Sequence, residues 1–516
     1  MASFVRSLFI VAAASLTFAA TLYAEAPRIN GPSVYGAHPG SEFMYKVPAS
    51  GTRPVTFAAK GLPDGLTIDS RSGIISGTTP AKGEYKVELK VTNAQGSSVK
   101  TFRIVAGERL ALTPPMGWSS RNCCGSTVSR QRIEANVKAL LEKGLDRYGW
   151  TYINIDDGWQ GLRTGENGAL DPNAKFPDME GLSAYIHSNG LKFGLYSTPW
   201  ACTYGGYAGE GCDRADGVYW WADRGMVDAN CKVDKSKLDR TTLRTHTLHS
   251  FAEVDAARWA DWKVDFLKYD WRPNDEYHIR RMRAALDSTG RDIIYSVAND
   301  APVGVATALY ECAQMWRIGV DVRDEWSSVV AAGFEKLPAW AGFCGPGHWP
   351  DADMLVIGKV GWGPKTRPSL LTQDEQMSHM TLWAIAGAPL ILGCDLVDID
   401  PFTLSLITNP EVIDVNQDAL GIFPTLVERD STHCIYAKPL EDGSVALAMF
   451  NLTREKIVLG ISPEKLGFVG DVYMRDVWER EDVSRVGSLA VWSRIVQPHG
   501  VFFVKITPVV KGAQPL

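Results

Sequence analysis

A repeated alternation of strand and helix between about residues 110 and 420 constrains the fold of this 516-residue chain more than any other feature. Helical stretches such as SRQRIEANVKALLEKGL and FAEVDAARWADW separate short apolar runs that end in polar residues. Buried parallel strands have this character, and eight repeats favour a closed (β/α)8 barrel over a doubly wound sheet. The eight predicted strands cover 114–118, 150–157, 191–197, 264–270, 292–300, 313–321, 347–355 and 388–395.

The barrel region is flanked by two segments of different texture. In residues 28–107, β-type runs such as YKVELKVT alternate with turn clusters such as GLPDG, which predicts a small β-sandwich. This segment resembles the Ig-like domains found beside catalytic domains in exported bacterial enzymes, and we expect a spacer rather than a sugar-binding module, because no row of aromatic residues is evident. Beyond Gly421, runs such as VALAMFNL and VFFVKI predict a C-terminal antiparallel β-sandwich over 422–510.

The first residues have the pattern of an export signal. Residues 1–24 contain one cation, Arg6, an apolar stretch and small residues near Ala24, which predicts a secretory signal peptide rather than a membrane span. We therefore expect a protein that is periplasmic or extracellular and not inserted in a membrane. The formal charge of -6 becomes -7 when Arg6 is removed, and this mild acidity argues against nucleic acid as a partner. The oligomeric state has no signature in the sequence.

Nine cysteines are few for a chain of this length, so the protein is not a disulfide-dense scaffold. Cys202, Cys212 and Cys231 fall in one long loop, where export permits a local disulfide, although spacing alone does not fix the pairing. No Cys-x-x-Cys or paired-histidine spacing indicates zinc.

The segment VDFLKYD ends the fourth predicted strand with Lys268 and Asp270. Side chains alternate along a strand, so these two point to the same side, and the ammonium group favours the ionised carboxylate. Asp270 is thus placed and charged like a nucleophile, whereas the alternative is a strand-end salt bridge without catalytic role.

Polar residues concentrate at the ends of several other predicted strands, where a barrel builds its active site. Carboxylates interleaved with Tyr, Lys and Arg suit a sugar, whose hydroxyls both donate and accept hydrogen bonds. A divalent cation is the less favoured alternative, with Asp156, Asp157, His348, Asp351 and Asp353 as ligand types. The strand-end residues are Asp156, Asp157, Tyr196, Lys268, Asp270, Arg317, Asp321, Asp351 and Asp353.

The segments TPPMGW, YINIDDGW, GLYS, LKYD, WRIGVD, GHWPDADMLVIG, WAIAGAPLILGCDL and VNQDALG occur in this order. Together they resemble glycoside hydrolase family 27, the family of α-galactosidases and α-N-acetylgalactosaminidases. The resemblance covers about residues 110 to 510 and implies a retaining mechanism without a cofactor or metal.

The resemblance also implies roles for individual residues. Asp270 is the nucleophile and Asp321 the acid/base, separated by about 5 Å as in retaining enzymes. Asp156 and Asp157 hold the 4- and 6-hydroxyls of galactose. Arg317, Tyr196 and Lys268 line the sugar pocket, and Asp353 lies near the acid/base. Protonation of the leaving oxygen then requires a raised pKa at Asp321, while Asp270 stays ionised beside Lys268.

The sequence departs from the family pattern at the sugar pocket. Arg121 stands where the family often has a Trp that packs against the sugar, so this apolar platform is either lost or supplied by Trp118 or another loop. Ala298 stands near the family's Glu for the 2-hydroxyl, which leaves Arg317, Asn299 or Asp300 for that role. Two customary disulfides of the family are absent from the motifs. The long loop 198–250 is expected to shape the leaving-group subsite.

Four functions follow from these residues. An α-galactosidase is favoured, because both Asp156 and Asp157 are present and together indicate a sugar with a 6-hydroxyl. The alternatives are a related glycosidase, acting on β-L-arabinopyranosides or α-N-acetylgalactosaminides, a non-catalytic carbohydrate-binding protein, and an adhesion protein based on the Ig-like domain. Retention of both Asp270 and Asp321 argues against the binding protein, since a lectin needs neither, and an adhesion role leaves the polar rim of the barrel without explanation.

Overall fold

The computed structural model describes residues 24–509, so the predicted signal peptide lies almost wholly outside the described residues. Within this range the predicted class is confirmed: a (β/α)8 barrel stands between an N-terminal Ig-like β-sandwich and a C-terminal β-sandwich. No helix of the described residues is long and apolar enough to cross a membrane.

The Ig-like domain packs two main sheets around its own apolar core, which contains Ile75, Val87 and Phe102. One sheet has the strand order β2-β9-β8-β5 and the other has the order β3-β7-β6. A long hairpin joins β8 to β9, pairing Gly83 with Ala106 and Asn93 with Gly96. The strands are β1 (Arg28–Ile29), β2 (Val34–Ala37), β3 (Glu42–Lys46), β4 (Ala49–Ser50), β5 (Thr56–Lys60), β6 (Leu66–Ile68), β7 (Ile74–Thr78), β8 (Gly83–Asn93) and β9 (Gly96–Ala106).

Eight parallel strands form the barrel, and each lies within or beside its predicted segment. The ladder runs from the seventh strand back to the first and then to the eighth. Leu355, just beyond the seventh strand, closes the barrel, because its amide donates to Ile391 and its carbonyl accepts from Gly393. The barrel strands are β10 (Met116–Ser119), β11 (Tyr152–Asn154), β14 (Lys192–Ser197), β17 (Phe266–Asp270), β18 (Ile294–Ala298), β19 (Met315–Arg317), β20 (Trp349–Asp351) and β23 (Leu390–Leu392).

The βα loops carry three two-stranded ribbons, and helices surround the barrel. The ribbons pair β12 (Gln160–Arg163) with β13 (Leu170–Pro172), β15 (Gly211–Cys212) with β16 (His249–Ser250), and β21 (Lys359–Val360) with β22 (Arg367–Pro368). The helices are α1 (Arg121–Cys124), α2 (Arg130–Glu142), α3 (Met179–Ser188), α4 (Trp220–Asp223), α5 (Ala252–Asp261), α6 (Glu276–Ser288), α7 (Ala306–Cys312), α8 (Trp326–Val329), α9 (Gln373–Ala386), α10 (Pro401–Ile407) and α11 (Pro410–Asn416).

Local sequence signals explain where the longer helices begin and end. Thr372 and Glu375 form a reciprocal capping box at the start of α9, which satisfies two backbone donors that the helix cannot pair itself. Gly387 ends the same helix in the left-handed conformation that glycine adopts without steric cost. Asp275 caps α6 by accepting from the amide of His278, so this helix starts six residues after Asp270.

The C-terminal domain is an antiparallel sandwich with a six-stranded sheet in the order β24-β25-β26-β31-β28-β29 and a β27-β30 pair. Its inner face buries apolar residues such as Leu447, Val472 and Val504. The strands are β24 (Thr425–Arg429), β25 (His433–Pro439), β26 (Val445–Asn451), β27 (Ile457–Ile461), β28 (Asp471–Asp476), β29 (Glu481–Gly487), β30 (Trp492–Val496) and β31 (Val501–Pro508).

The Ig-like domain docks on the face of the barrel where the strands begin. Lys46 forms an ion pair with Asp146 at 2.7 Å and also donates to the carbonyl of Asn189. His38 contacts Asp292 at 2.6 Å. Asp146, Asn189 and Asp292 lie in the segments that lead into the barrel strands β11, β14 and β18, so this domain covers the face opposite the strand ends that carry the polar residues. It is therefore a packed part of the molecule rather than a detached spacer.

All nine cysteines lie within the described residues and all are free thiols. The local disulfide expected among Cys202, Cys212 and Cys231 is therefore not formed. The family's two customary disulfides are also missing, as the motifs indicated. Cys202 and Cys212 are buried, so they contribute as small apolar groups in the loop.

Candidate active site

The carboxyl ends of neighbouring barrel strands bring most of the predicted residues into one pocket. Asp156 and Asp157 directly follow β11, and Tyr196 lies in β14, beside Lys268 and Asp270 in β17. The neighbouring strands β19 and β20 supply the remaining residues, which are Arg317, Asp321, Asp351 and Asp353.

Asp270 is buried and has one oxygen bound and one oxygen free. Its Oδ2 accepts a 2.9 Å hydrogen bond from the Tyr196 hydroxyl, whereas Oδ1 is buried without a partner among the described residues. Lys268 does not pair directly with Asp270 but donates to Asp156 at 2.8 Å. Burial raises the pKa of Asp270 to about 6, because the charge of Lys268 offsets only part of that cost. This carboxylate is ionised at neutral pH but protonates more readily than the sequence suggested.

Asp321 is the most exposed carboxylate of the pocket, with 34% of its side chain open to solvent. Burial alone would raise its pKa, but Arg317, Lys268 and Arg121 outweigh that cost and lower the pKa to about 2. The sequence-based expectation of a raised pKa at Asp321 is therefore wrong, whereas Asp270 stays ionised at neutral pH as expected, although its pKa is raised. The reason is that three cations converge on Asp321, which the order of the motifs does not show.

Arg317 joins Asp321 to Asp353. Its guanidinium lies 3.3 Å from Asp321 and 2.8 Å from Asp353. Asp353 also accepts from the amide of Val322, and burial raises its pKa to about 7. Asp351 in turn accepts from the amide of Asp353 at 2.8 Å. This chain fixes the loop that carries Asp321 to the end of β20.

Asp156 and Asp157 have different surroundings although they are adjacent. Burial would raise the pKa of Asp156, but the charges of Lys268 and Arg121 lower it. Burial dominates at Asp157 and raises its pKa. The Oδ2 of Asp157 accepts from the amide of Gly205, and its Oδ1 is buried without a described partner. A Cβ at Gly205 would lie 2.8 Å from Asp157, so only glycine lets the loop approach this closely.

Trp118 does not belong to this pocket. Its side chain is fully buried, and the indole N–H donates to the carbonyl of Cys394 at 2.8 Å. It packs in the core and offers no open ring face to a sugar, so its predicted role as the apolar platform is wrong. Ser120, which directly follows β10, supports the pocket instead, because its hydroxyl accepts a hydrogen bond from the amide of Asp156.

Three residues in or behind the pocket escaped the sequence analysis or were misread there. Arg121 was treated only as a lost Trp, yet the charges of Asp156, Asp157 and Asp321 act on its guanidinium. Tyr204 lies close enough to Asp270 and Asp321 that, after burial, their charges raise its pKa. A signal for Tyr204 was present, because the long loop is rich in aromatic residues.

The third is Glu210, a buried carboxylate from the same loop. It accepts from the hydroxyls of Tyr269 and Ser250 and from the amide of Phe251. Tyr269 lies between Lys268 and Asp270 on β17 and points to the other side of the strand. Glu210 thereby ties the loop to the strand that carries the predicted nucleophile. No sequence motif distinguishes this residue.

The candidates for the 2-hydroxyl differ in their availability. Asp300 pairs with Lys336 at 2.5 Å and with Arg272 at 3.6 Å. Arg317 pairs with two carboxylates, and its Nε is buried without a described partner. Asn299 alone keeps a buried side-chain oxygen without a described partner. Ala298 is fully buried at the end of β18 and presents only a methyl group.

Within the described residues, Asp156, Asp157, Asp351 and Asp353 do not form a metal-binding cluster with His348. The ring of His348 stacks on Tyr310, with 4.0 Å between the ring centroids. Within residues 24–509, one trio of ligand types lies close together: His246, Asp275 and His278. The two imidazoles of this trio stack at 3.8 Å with an angle of 12° between the rings. One ion cannot lie in two nearly parallel ring planes, so this arrangement is not a formed metal centre.

This barrel, with paired carboxylates and sugar-compatible donors at its strand ends, defines a glycoside hydrolase of the (β/α)8 class. Residues 113–245 and 239–418 match the family model "Alpha galactosidase A", and residues 430–506 match the "Alpha galactosidase C-terminal beta sandwich domain". Residues 26–107 match an Ig-domain model. The chain belongs to the α-galactosidase family, glycoside hydrolase family 27, whose members are retaining glycosidases.

The chain is similar to known proteins over most of their length. The chain is 31% identical over 434 residues to Alpha-galactosidase 2 of Arabidopsis thaliana, covering 81% of this chain and 96% of the relative. A Bacteroides fragilis structure assigned as an α-galactosidase/melibiase superposes with a TM-score of 0.81 at 30% identity, covering 94% and 98%. A β-L-arabinopyranosidase from Geobacillus stearothermophilus gives 0.64 at 29% identity, covering 78% and 98%.

Proposed function

We propose that this enzyme releases terminal α-D-galactosyl residues from oligosaccharides or polysaccharides by double displacement. The observation that carries the proposal is the free Oδ1 of Asp270, buried in a pocket that also contains Asp157, Tyr196 and Lys268. An ionised oxygen without a protein partner is what attack on an anomeric carbon requires. Tyr196 holds the other oxygen and so orients the carboxylate.

In the first step, Asp270 attacks the anomeric carbon, the glycosidic bond breaks and Asp321 protonates the leaving oxygen. In the second, Asp321 removes a proton from a water molecule, which attacks the same carbon and displaces the carboxylate of Asp270. Asp321 faces the solvent side of the pocket, where the leaving group departs. Its low pKa must rise when substrate binds. Exclusion of water increases the cost of its charge, and the ionised Asp270 opposes a second negative charge nearby.

Asp156 and Asp157 support galactose over the related pentose. The buried, unpartnered Oδ1 of Asp157 requires a donor, and a sugar hydroxyl supplies one. Loss of one such hydroxyl should cost on the order of tenfold to a hundredfold in kcat/KM. Aryl α-D-galactopyranoside should therefore be cleaved faster than the matching aryl β-L-arabinopyranoside. A higher kcat/KM for the arabinoside would instead favour a β-L-arabinopyranosidase.

An α-N-acetylgalactosaminidase is the second candidate, favoured by one observation. Ala298 presents only a methyl group where the family often has Glu, and the neighbouring Asn299 has a buried oxygen without a described partner. This leaves volume and an acceptor for a 2-acetamido group. Comparison of aryl α-galactoside with aryl α-N-acetylgalactosaminide decides between the two, and the anomer first released, followed by proton NMR, tests retention.

The sequence of residues 1–24 supports export, which we propose for the protein in its source cell. A precursor with this pattern should be cleaved near Ala24 or Ala26. Cell fractionation with N-terminal sequencing of the mature enzyme checks this. An uncleaved cytoplasmic protein would contradict it.

A further inference from the structure

We infer that Arg121 binds the sugar directly and determines specificity for one of its hydroxyls, an inference that rests on the proposed function. The pocket contains three cations. Lys268 is engaged with Asp156 at 2.8 Å, and Arg317 with Asp353 at 2.8 Å. The guanidinium of Arg121 has no ion pair and no hydrogen bond with any residue of the described range.

The position of Arg121 follows from the groups around it. After the cost of burial, the charges acting most strongly on its guanidinium belong to Asp156, Asp157, Tyr196 and Asp321, all of which are pocket residues. It belongs to α1, the single helical turn that directly follows β10 at the strand ends of the barrel. The guanidinium therefore lies among the groups that receive the sugar, with its donors uncommitted.

The pocket thus contains free donors and free acceptors that do not satisfy each other. Asp157 has a buried oxygen that lacks a donor, and Arg121 has N–H groups that lack an acceptor. A sugar hydroxyl is both a donor and an acceptor, so a single hydroxyl can donate to the carboxylate and accept from the guanidinium. Both hydrogen bonds involve a charged group and are stronger than neutral ones. A Trp at this position would have one neutral N–H donor and could not supply the charged one.

The test measures kcat/KM for an aryl α-D-galactoside and its 2-deoxy, 4-deoxy and 6-deoxy analogues. Wild type is compared with two variants. Arg121→Met removes the N–H donors but keeps an unbranched side chain. Arg121→Lys keeps the positive charge but lacks the planar guanidinium with its several N–H donors. We expect the wild type to lose about tenfold to a hundredfold on the 4-deoxy or 6-deoxy analogue. In Arg121→Met this loss should shrink at least about fivefold, because the shared hydroxyl has lost one partner.

The ratio between parent and analogue is independent of how much enzyme is folded, so a merely structural role leaves it unchanged. Equal reduction of all four substrates in Arg121→Met, or no reduction at all, overturns the inference while leaving the proposed function intact. Arg121→Lys should retain part of the discrimination, because one ammonium group can still donate to the hydroxyl. A wild-type enzyme that cleaves none of the galactosides overturns the proposed function, and this inference with it.

Discussion

The Tyr196 hydroxyl donates a 2.9 Å hydrogen bond to Oδ2 of Asp270, and this contact leaves Oδ1 as the oxygen without a described partner. The bond fixes which oxygen faces the substrate. It also stabilises the charged carboxylate, although less than burial destabilises it. The predictions below follow from this arrangement and from the charges around it.

Replacement of Asp270 by Ala should reduce kcat by several orders of magnitude, because it removes the carboxylate that the Tyr196 hydroxyl orients and with it the covalent nucleophile. Added azide should restore turnover and give a glycosyl azide of inverted anomeric configuration, identified by NMR. The exposed Asp261 gives a control, since Asp261→Ala should leave kcat unchanged. Activity of Asp270→Ala within tenfold of wild type would refute the assignment.

Replacement of Asp321 by Ala should affect substrates according to their leaving groups. An activated aryl group departs with little protonation, whereas a sugar leaving group needs a proton. The loss in kcat/KM should therefore be much larger on an oligosaccharide than on a dinitrophenyl glycoside. Steady-state kinetics on both substrates measures this, and an equal loss on both would show that Asp321 has another role.

The acidic limb of kcat/KM should lie near pH 6, because Asp270 must be ionised to attack and burial raises its pKa to about 6. Lys268 opposes this rise, so Lys268→Met should raise the pKa further and move the limb to higher pH. A pH profile of both enzymes tests the sign. Movement of the limb to lower pH would mean that another group controls it.

The docking of the Ig-like domain should depend on pH through His38. Its hydrogen bond with Asp292 raises the pKa of His38, so the contact is fully stabilising below the ordinary histidine pKa of about 6.5. The contribution is lost as the pH rises through the higher folded pKa. Asp292→Ala should therefore lower the unfolding temperature more at pH 5.5 than at pH 9.

Lys82 supplies the matched control for this comparison, because its ion pair with Glu108 is exposed and lies within the Ig-like domain. Lys82→Ala should change the unfolding temperature little at either pH. Scanning calorimetry measures both variants. An equal effect of Asp292→Ala at the two pH values would exclude a contribution from charged His38.

The barrel was predictable because its signals are local. A buried parallel strand that ends in polar residues can be recognised from consecutive residues, as in VDFLKYD. The structure places Lys268 and Asp270 at the end of β17. The two sandwiches were predictable for the same reason, since alternation and turn residues recur every few positions.

The electrostatics of the pocket were not predictable in this way. The pKa of Asp321 depends on Arg317, four residues away, but also on Arg121 in α1 and Lys268 in β17, which are distant in the sequence. Trp118 was misassigned because a motif gives the order of residues and not the side to which a ring points. Glu210 was missed because its partners lie on a separate strand and at the far end of its own loop.

The docking of the Ig-like domain on the face where the barrel strands begin also determines how this enzyme can be immobilised. The amide of Glu25 donates to Thr52, and its carbonyl accepts from Asn93, so Glu25 is held on the Ig-like domain, which covers the face of the barrel opposite the pocket. A tag, resin or cell-surface linker attached before Glu25 would leave the sugar entrance facing the medium. Long polysaccharide side chains could then reach an immobilised enzyme without steric obstruction from its support.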